Sequence, residues 1–135
     1  MILVDSSVLI DHFRGASNPQ TEQLRRWLLG LDGGPDIGVA DLVVFEVVRG
    51  FNTPHAQSRA RDLLLAMVVV EIGGLNNALQ AAALYQRLRN QGRTVRSPID
   101  VLLASYCMTH GHTLLHRDAD FESLKTLGGL DTWPH

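Results

Sequence analysis

A chain of 135 residues with 45% hydrophobic content can fold as one domain, 1–135, around a core of its own. Its net charge of −2 excludes binding to nucleic acid through bulk electrostatics, and its single cysteine, Cys107, excludes an internal disulfide and a cysteine-rich zinc site. No apolar run approaches the roughly 20 residues of a membrane span and no basic region precedes the first one, so we expect a cytoplasmic protein without a membrane segment.

Strand-like and helix-like segments alternate along the chain, which is typical of a parallel α/β sheet. Short apolar or β-branched runs predict strands at 1–4, 37–39, 67–72, 113–115 and 130–133. Helical patterns predict helices at about 6–14, 22–29, 41–49, from Pro54 to near Ala66, at 76–91, at 98–110 and, last and shortest, after 116–121. Glycines and a proline predict a turn-rich connection at 31–36.

Some local details of these helices can also be predicted. Thr21 resembles an N-cap for the second helix, and Ser97 resembles one for the helix at 98–110. The longest helix, at 76–91, is expected to turn one apolar face inward. The residues on that face are Leu79, Ala82, Ala83 and Leu88. Cys107 lies on an apolar helical face, which favours a buried side chain.

Four acidic residues stand where open α/β sheets bind ligands. Asp5 ends the first strand, Glu46 lies within an apolar helix, Asp100 is in a first helical turn, and Asp118 follows the fourth strand. Each has a purely structural interpretation, since the three aspartates could cap helices and Glu46 could face solvent. Together they have one chemical use, because clustered carboxylates can hold Mg²⁺ or Mn²⁺ for hydrolysis of a phosphodiester bond.

The stretches around these acids resemble the motifs of PIN-domain nucleases. Residues 1–10 (MILVDSSVLI) resemble the family's opening motif, and the later motifs are similar to 46–50 (EVVRG), 100–104 (DVLLA) and 113–121 (TLLHRDADF). The resemblance runs to about Phe121, in the family's order and at its usual spacing. The compact size is similar to that of VapC-type toxins from bacterial toxin–antitoxin pairs.

This resemblance implies a three-layer α/β domain whose central parallel five-stranded sheet, in the order 3-2-1-4-5, is flanked by helices. It implies one or two Mg²⁺ ions, with Mn²⁺ as a substitute, at a catalytic and metal-binding set of acids. By position in the motifs, that set is Asp5, Glu46, Asp100 and Asp118. Asp120 would be an auxiliary acid, and Ser6 a hydroxyl that orients Asp5 or a metal-bound water.

The chain departs from the family's pattern just before the fourth acid. His116 and Arg117 stand where the family more often has a hydroxyl residue and an asparagine, which leaves the surroundings of Asp118 open. Three histidines in this segment, His110, His112 and His116, also allow a rival interpretation as a transition-metal site.

Two other families are disfavoured by the residues after the first strand. A haloacid-dehalogenase-like phosphatase needs a second aspartate two residues after the first, and Ser7 stands there; its lysine could only be Lys125. A dinucleotide-binding fold needs a glycine-rich turn, G-x-G-x-x-G, and none is present.

The sequence therefore predicts a Mg²⁺- or Mn²⁺-dependent endoribonuclease acting as the toxin of a toxin–antitoxin pair. Its expected partners are an RNA substrate and a VapB-like antitoxin whose C-terminal segment covers the acidic cleft. Apolar helices at 41–51 and 54–66 favour a homodimer, and with antitoxin a heterotetramer or larger. The alternative is a non-catalytic PIN-fold module that binds RNA or a partner protein; the presence of all four acids favours the enzyme.

Overall fold

Five parallel strands form the sheet at the centre of this computed structural model, which describes residues 1–30 and 33–134. The strands are β1 (Ile2–Val4), β2 (Ile37–Ala40), β3 (Val68–Val70), β4 (Thr113–Leu115) and β5 (Asp131–Trp133). Their order across the sheet is β3-β2-β1-β4-β5, and each neighbouring pair is parallel. This confirms the α/β class and the strand order 3-2-1-4-5. The connection predicted at 31–36 lies partly outside the described residues, and the single domain over 1–135 stays a prediction.

Seven helices, counted over the described residues, flank the sheet. They are α1 (Ser6–Phe13), α2 (Pro19–Leu28), α3 (Asp41–Arg49), α4 (Pro54–Leu65), α5 (Leu75–Asn90), α6 (Pro98–His110) and α7 (Asp120–Gly128). Three of them begin with proline, whose missing N–H would have no partner in a first helical turn. None of the helices described is both long enough and apolar enough to cross a membrane.

Strand β1 lies between β2 and β4 in the sheet, and all three of its residues are buried. Leu3 and Val4 are fully buried, as are Leu114 and Leu115 on the neighbouring β4. The Asp5 N–H donates a 2.9 Å hydrogen bond to the Leu115 carbonyl, so the pairing of β1 with β4 continues to the residue where β1 ends. Asp5 is thereby fixed at the carboxyl edge of the sheet. The position of Asp5 at the end of β1 is therefore rigid.

The start of α2 differs from the prediction. Its N-cap is Asn18 rather than Thr21, and the helix begins three residues earlier than expected. Asn18 Oδ1 accepts a hydrogen bond from the Thr21 N–H, and Thr21 Oγ1 accepts one from the Asn18 N–H, which makes a reciprocal capping box. Thr21 is thus the second member of that box. At α6, Ser97 does occupy the N-cap position, but its side chain makes no capping hydrogen bond.

The inward face predicted for α5 was largely wrong. Its buried residues are Ala81, Leu84 and Leu88, whereas Leu79 is 63% exposed. Ala82 and Ala83 are exposed as well. Alanine and leucine occur on all sides of this helix, so apolar periodicity alone did not select the side that meets the core. By contrast, Cys107 is fully buried, as predicted.

Candidate active site

The acids singled out in the sequence approach one another at the carboxyl edge of the sheet. Asp5 directly follows β1, Asp118 lies in the loop between β4 and α7, Asp100 is in the first turn of α6, and Glu46 lies in α3. Chain segments that are distant in sequence therefore meet beside β1 and β4. The crevice at the strands' carboxyl ends is where open α/β sheets bind ligands.

Three aspartates form the tightest group, called here the aspartate trio: Asp100, Asp118 and Asp120. One carboxylate oxygen from each lies within 4.8 Å of the other two. Asp100 is only 6% exposed, while the other two are half-buried. The Asp120 N–H donates a 2.9 Å hydrogen bond to Asp118 Oδ1, which fixes the turn that starts α7. Asp120, expected only as an auxiliary acid, thus stands beside two of the main acids.

Asp5 has one satisfied and one unsatisfied carboxylate oxygen. Its Oδ2 accepts hydrogen bonds from the Ser7 N–H at 3.1 Å and from the Ser7 hydroxyl at 2.6 Å. This caps α1, so the structural interpretation of Asp5 is correct for that oxygen. Among the described residues, its Oδ1 is buried and has no hydrogen-bond partner. Burial raises the pKa of Asp5, because the charged form loses its hydration.

Glu46 shows the same pattern on the facing helix. Its Oε1 is buried and has no hydrogen-bond partner in the part of the chain that the structure describes. Burial and the negative charge of Asp5 raise the pKa of Glu46, while a hydrogen bond from Ser6 and the charge of Arg49 act in the opposite direction. The Ser6 hydroxyl therefore donates to Glu46, whereas the hydroxyl that orients Asp5 belongs to Ser7. Ser7 was not predicted from the sequence, although an aspartate with serine two residues later is a common local hydrogen-bonding pattern.

Asp100 is the electrostatic centre of the group. Burial first, and then the charges of Asp5, Asp118, Glu46 and Asp120, raise the pKa of Asp100 to about 8. The four other acids therefore all act on this one carboxyl group. A cluster of this kind is costly to ionise without a compensating cation.

A hard divalent cation fits this set of side chains. The donors are all carboxylate oxygens, which are the ligands that Mg²⁺ and Mn²⁺ prefer. Two of the oxygens, Asp5 Oδ1 and Glu46 Oε1, are buried and have no hydrogen-bond partner within residues 1–30 and 33–134. Each therefore has a lone pair free for a metal or a metal-bound water. The aspartate trio offers three further ligand atoms at suitable separation.

His116 and Arg117, where the chain departs from the family's pattern, both support the loop that carries Asp118. His116 Nδ1 accepts a 3.2 Å hydrogen bond from the Asp118 N–H, and its ring lies 4.8 Å from that of Phe121. Burial lowers the pKa of His116, which favours the neutral ring that this hydrogen bond requires. The Arg117 N–H donates a 3.0 Å hydrogen bond to Ser7 Oγ. These two residues thus replace the expected hydroxyl and amide by different contacts.

The rival histidine-metal site is not formed. His110 and His112 stack with Tyr106, with ring centroids 4.2 to 6.0 Å apart, whereas His116 contacts Phe121. Within residues 1–30 and 33–134, the group of three or more side chains able to share a metal is the aspartate trio, which includes no histidine. The histidines serve as aromatic contacts here.

Comparison with known proteins finds relatives along nearly the whole chain and solved structures of the same fold. The chain is 27% identical over 130 residues to Ribonuclease VapC11 of Mycobacterium tuberculosis, covering 96% of both chains. It has the fold of VapBC2 from Rickettsia felis, solved bound to a promoter DNA fragment, with a TM-score of 0.75 and 16% identity over 98% of this chain and 97% of that one. VapC20 of Mycobacterium tuberculosis, a sarcin-ricin loop cleaving toxin, gives a TM-score of 0.69 and 18% identity over 92% and 95% of the two chains.

The family assignment rests on a match that spans nearly the whole chain. Residues 2–127 match the PIN domain, and this range includes all five acids of the site together with Ser7. The strand order is the one that the resemblance to PIN-domain nucleases implied. From sequence match, sheet topology and the acidic edge together, the chain belongs to the PIN domain family.

Proposed function

We propose that this protein is a Mg²⁺- or Mn²⁺-dependent endoribonuclease and the toxin of a VapBC-type toxin–antitoxin pair. The observation that carries the proposal is the convergence of four carboxylates on a fifth, that of the buried Asp100. Two of the four have a buried oxygen without a hydrogen-bond partner among the described residues. Relatives named as VapC ribonucleases support the substrate class. A fold that only bound RNA would gain nothing from a cluster of negative charge, which repels phosphate.

Each side chain of the site has its own proposed role. The proposed metal-binding and catalytic residues are Asp5, Glu46, Asp100 and Asp118, joined by Asp120 because of its place in the aspartate trio. When bound, the ion would neutralise charge on the scissile phosphate and lower the pKa of a water for in-line attack. Ser7 holds the Asp5 carboxylate in one orientation through two hydrogen bonds. His116 fixes the backbone at Asp118.

Purified protein should cut single-stranded or looped RNA in the presence of Mg²⁺ or Mn²⁺ and stop when EDTA is added. Attack by water on phosphorus leaves a 5′-phosphate and a 3′-hydroxyl, and these ends are identified by enzymatic labelling and mass spectrometry. A 2′,3′-cyclic phosphate would instead show attack by the RNA's own hydroxyl, against the proposed use of the acids. RNA binding without cleavage under any of these conditions would favour the non-catalytic binding module.

The proposed partners are an antitoxin and a second copy of the chain. An acidic cleft of five carboxylates should attract an arginine or lysine from the C-terminal segment of an antitoxin. For the homodimer, Phe45 on α3 and Leu65 at the end of α4 are 57% and 61% exposed, within the helices expected to pair. Helices α3 and α4 contact each other, and large exposed apolar side chains on neighbouring helices are typical of an interface.

Coexpression with the neighbouring small gene should therefore protect cells and yield a stable complex. Light scattering should give a dimer for the toxin alone at micromolar concentration, and a heterotetramer or larger for the complex. Phe45→Ser should shift the toxin toward monomer, while an exposed polar change such as Gln86→Ser on α5 should leave its mass unchanged. Coexpression that neither protects nor yields a complex would remove the toxin assignment and leave the nuclease.

A further inference from the structure

We propose that Arg117 binds a phosphate of the RNA backbone next to the scissile bond, an inference that rests on the proposed function. Arg117 immediately precedes Asp118, so its Cα is one residue from the aspartate trio. Its side chain is 53% exposed and carries a permanent positive charge at the edge of a cluster of acids. Among residue types, arginine is the best suited to contact phosphate with two hydrogen bonds.

The backbone of Arg117 is anchored to the floor of the site. Its N–H donates a 3.0 Å hydrogen bond to Ser7 Oγ, and the Ser7 hydroxyl in turn donates a 2.6 Å hydrogen bond to Asp5 Oδ2. The origin of the side chain is therefore fixed relative to Asp5 as well as to Asp118. A contact made by the guanidinium would fix the position of the RNA backbone relative to the acids of the site.

The side chain of Arg117, in contrast, is only loosely held. Its Nη1 lies 3.6 Å from Asp11 Oδ2, with Asp11 28% exposed. The same Oδ2 accepts a 3.2 Å hydrogen bond from Asn18 Nδ2, so Asp11 keeps a partner without the arginine. An exposed pair of this length contributes little to stability. The guanidinium can therefore exchange Asp11 for a phosphate at small cost.

The negative charge of the site explains why a cation that can exchange Asp11 for a phosphate would help RNA to bind. RNA brings negative phosphates to an edge that already holds five carboxylates, and the bound cation offsets only part of that repulsion. The exposed guanidinium of Arg117, on the residue next to Asp118, supplies attraction for the flanking phosphate. Arg117 is thus a substrate-binding residue, and its contribution is to affinity rather than to the attack itself.

The test measures binding and cleavage separately. Binding of a labelled single-stranded RNA is followed by fluorescence anisotropy with Mg²⁺, in an Asp5→Asn background that removes cleavage. Adding Arg117→Gln should weaken binding about tenfold at ~0.1 M salt and reduce the slope of log affinity against log salt by about 0.7, as expected for one lost phosphate contact. The loss should be the same for RNAs of different sequence, and Arg117→Lys should restore part of it.

Two matched variants separate phosphate binding from a structural role. Arg89→Gln removes one positive charge from α5, where the guanidinium lies over the Tyr85 ring, and should leave both measurements unchanged. Asp11→Asn breaks the ion pair while leaving Arg117 free, so affinity should stay equal or rise. If Arg117 merely braces the loop, Asp11→Asn will reproduce the loss seen with Arg117→Gln, and the proposed contact is wrong.

Kinetics on the cleaving enzyme complete the experiment. With the Asp5 carboxylate present, Arg117→Gln should raise KM by about tenfold with kcat changed less than threefold, because uniform binding is lost. Cleavage by wild type together with unchanged KM, affinity and salt slope in Arg117→Gln would overturn the Arg117 contact alone. Absence of both binding and cleavage in wild type would overturn the endoribonuclease and the contact together.

Discussion

Replacing Asp100 with asparagine should lower the rate of RNA cleavage by about three orders of magnitude, equivalent to roughly 4 kcal/mol of transition-state stabilisation. Asp100 is the buried member of the aspartate trio and the acid on which the charges of the other four converge. Asparagine keeps the shape but removes the charge that would be shared with a cation. Single-turnover cleavage of a labelled RNA, at saturating Mg²⁺, measures the effect.

The control for this variant is an aspartate at the amino ends of the strands, on the side of the sheet away from the acids. Asp36 is exposed and directly precedes β2, whose amino end is far from the acids because parallel strands all point the same way. Asp36→Asn should retain full activity. Asp100→Asn that still cleaves within tenfold of wild type would show that Asp100 lies outside the catalytic set, and activity that survives both this change and EDTA would indicate a contaminating nuclease.

Asp100→Asn should stabilise the metal-free protein. Asp100 has a pKa of about 8 when folded, against an ordinary value of 3.8, so the folded chain keeps a proton that the unfolded chain has released. The free energy of unfolding therefore falls as the pH rises from about 4 to about 8, and the stabilising contribution of that proton is gone above this range. Asparagine does not titrate. The Tm advantage of Asp100→Asn should grow between pH 6 and pH 8 by roughly 8 °C, the equivalent of about 2 kcal/mol.

Mg²⁺ should make the wild type more stable than Asp100→Asn. A ligand that binds only the folded protein, at 100 times its Kd, stabilises it by about 2.7 kcal/mol, which is roughly 10 °C in Tm for a chain of this size. Wild type should show this shift in a thermal melt and Asp100→Asn should show little of it. Equal shifts in the two proteins would place the ion elsewhere, and a metal-free Asp100→Asn less stable than wild type at pH 8 would refute the raised pKa.

The sheet and the placement of the acids could be predicted because they depend on local signals. A short buried run ending in an acid describes β1 and Asp5, and the alternation of strands and helices describes the parallel sheet. The resemblance to the PIN-domain nucleases supplied the strand order, which spacing alone does not contain. Whether the acids bind a metal is a proposal, although the structure brings them together.

The orientations of individual side chains could not be predicted. Ser6 and Ser7 are adjacent hydroxyls, and the direction in which α1 leaves β1 decides that Ser7 meets Asp5. Asp120 belongs to the aspartate trio because of the tight turn at Asp118, which a hydrogen bond from the Asp120 N–H to the Asp118 side chain holds. Such a contact leaves no pattern of apolar residues in the sequence. In α5, Leu79 is exposed because packing against α6, rather than the distribution of leucines, selects the buried side.

The pairing of β1 with β4 determines when the site can exist at all. These neighbouring strands come from opposite ends of the sequence, and the hydrogen bond from Arg117 to Ser7 spans 110 residues. During translation at roughly 5–20 residues per second, the ribosome needs on the order of ten seconds to make that intervening stretch. Until then Asp5 emerges without its distant partners. For the proposed ribonuclease, this delay would keep the nascent chain inert beside the ribosomal and messenger RNA that surround it during synthesis.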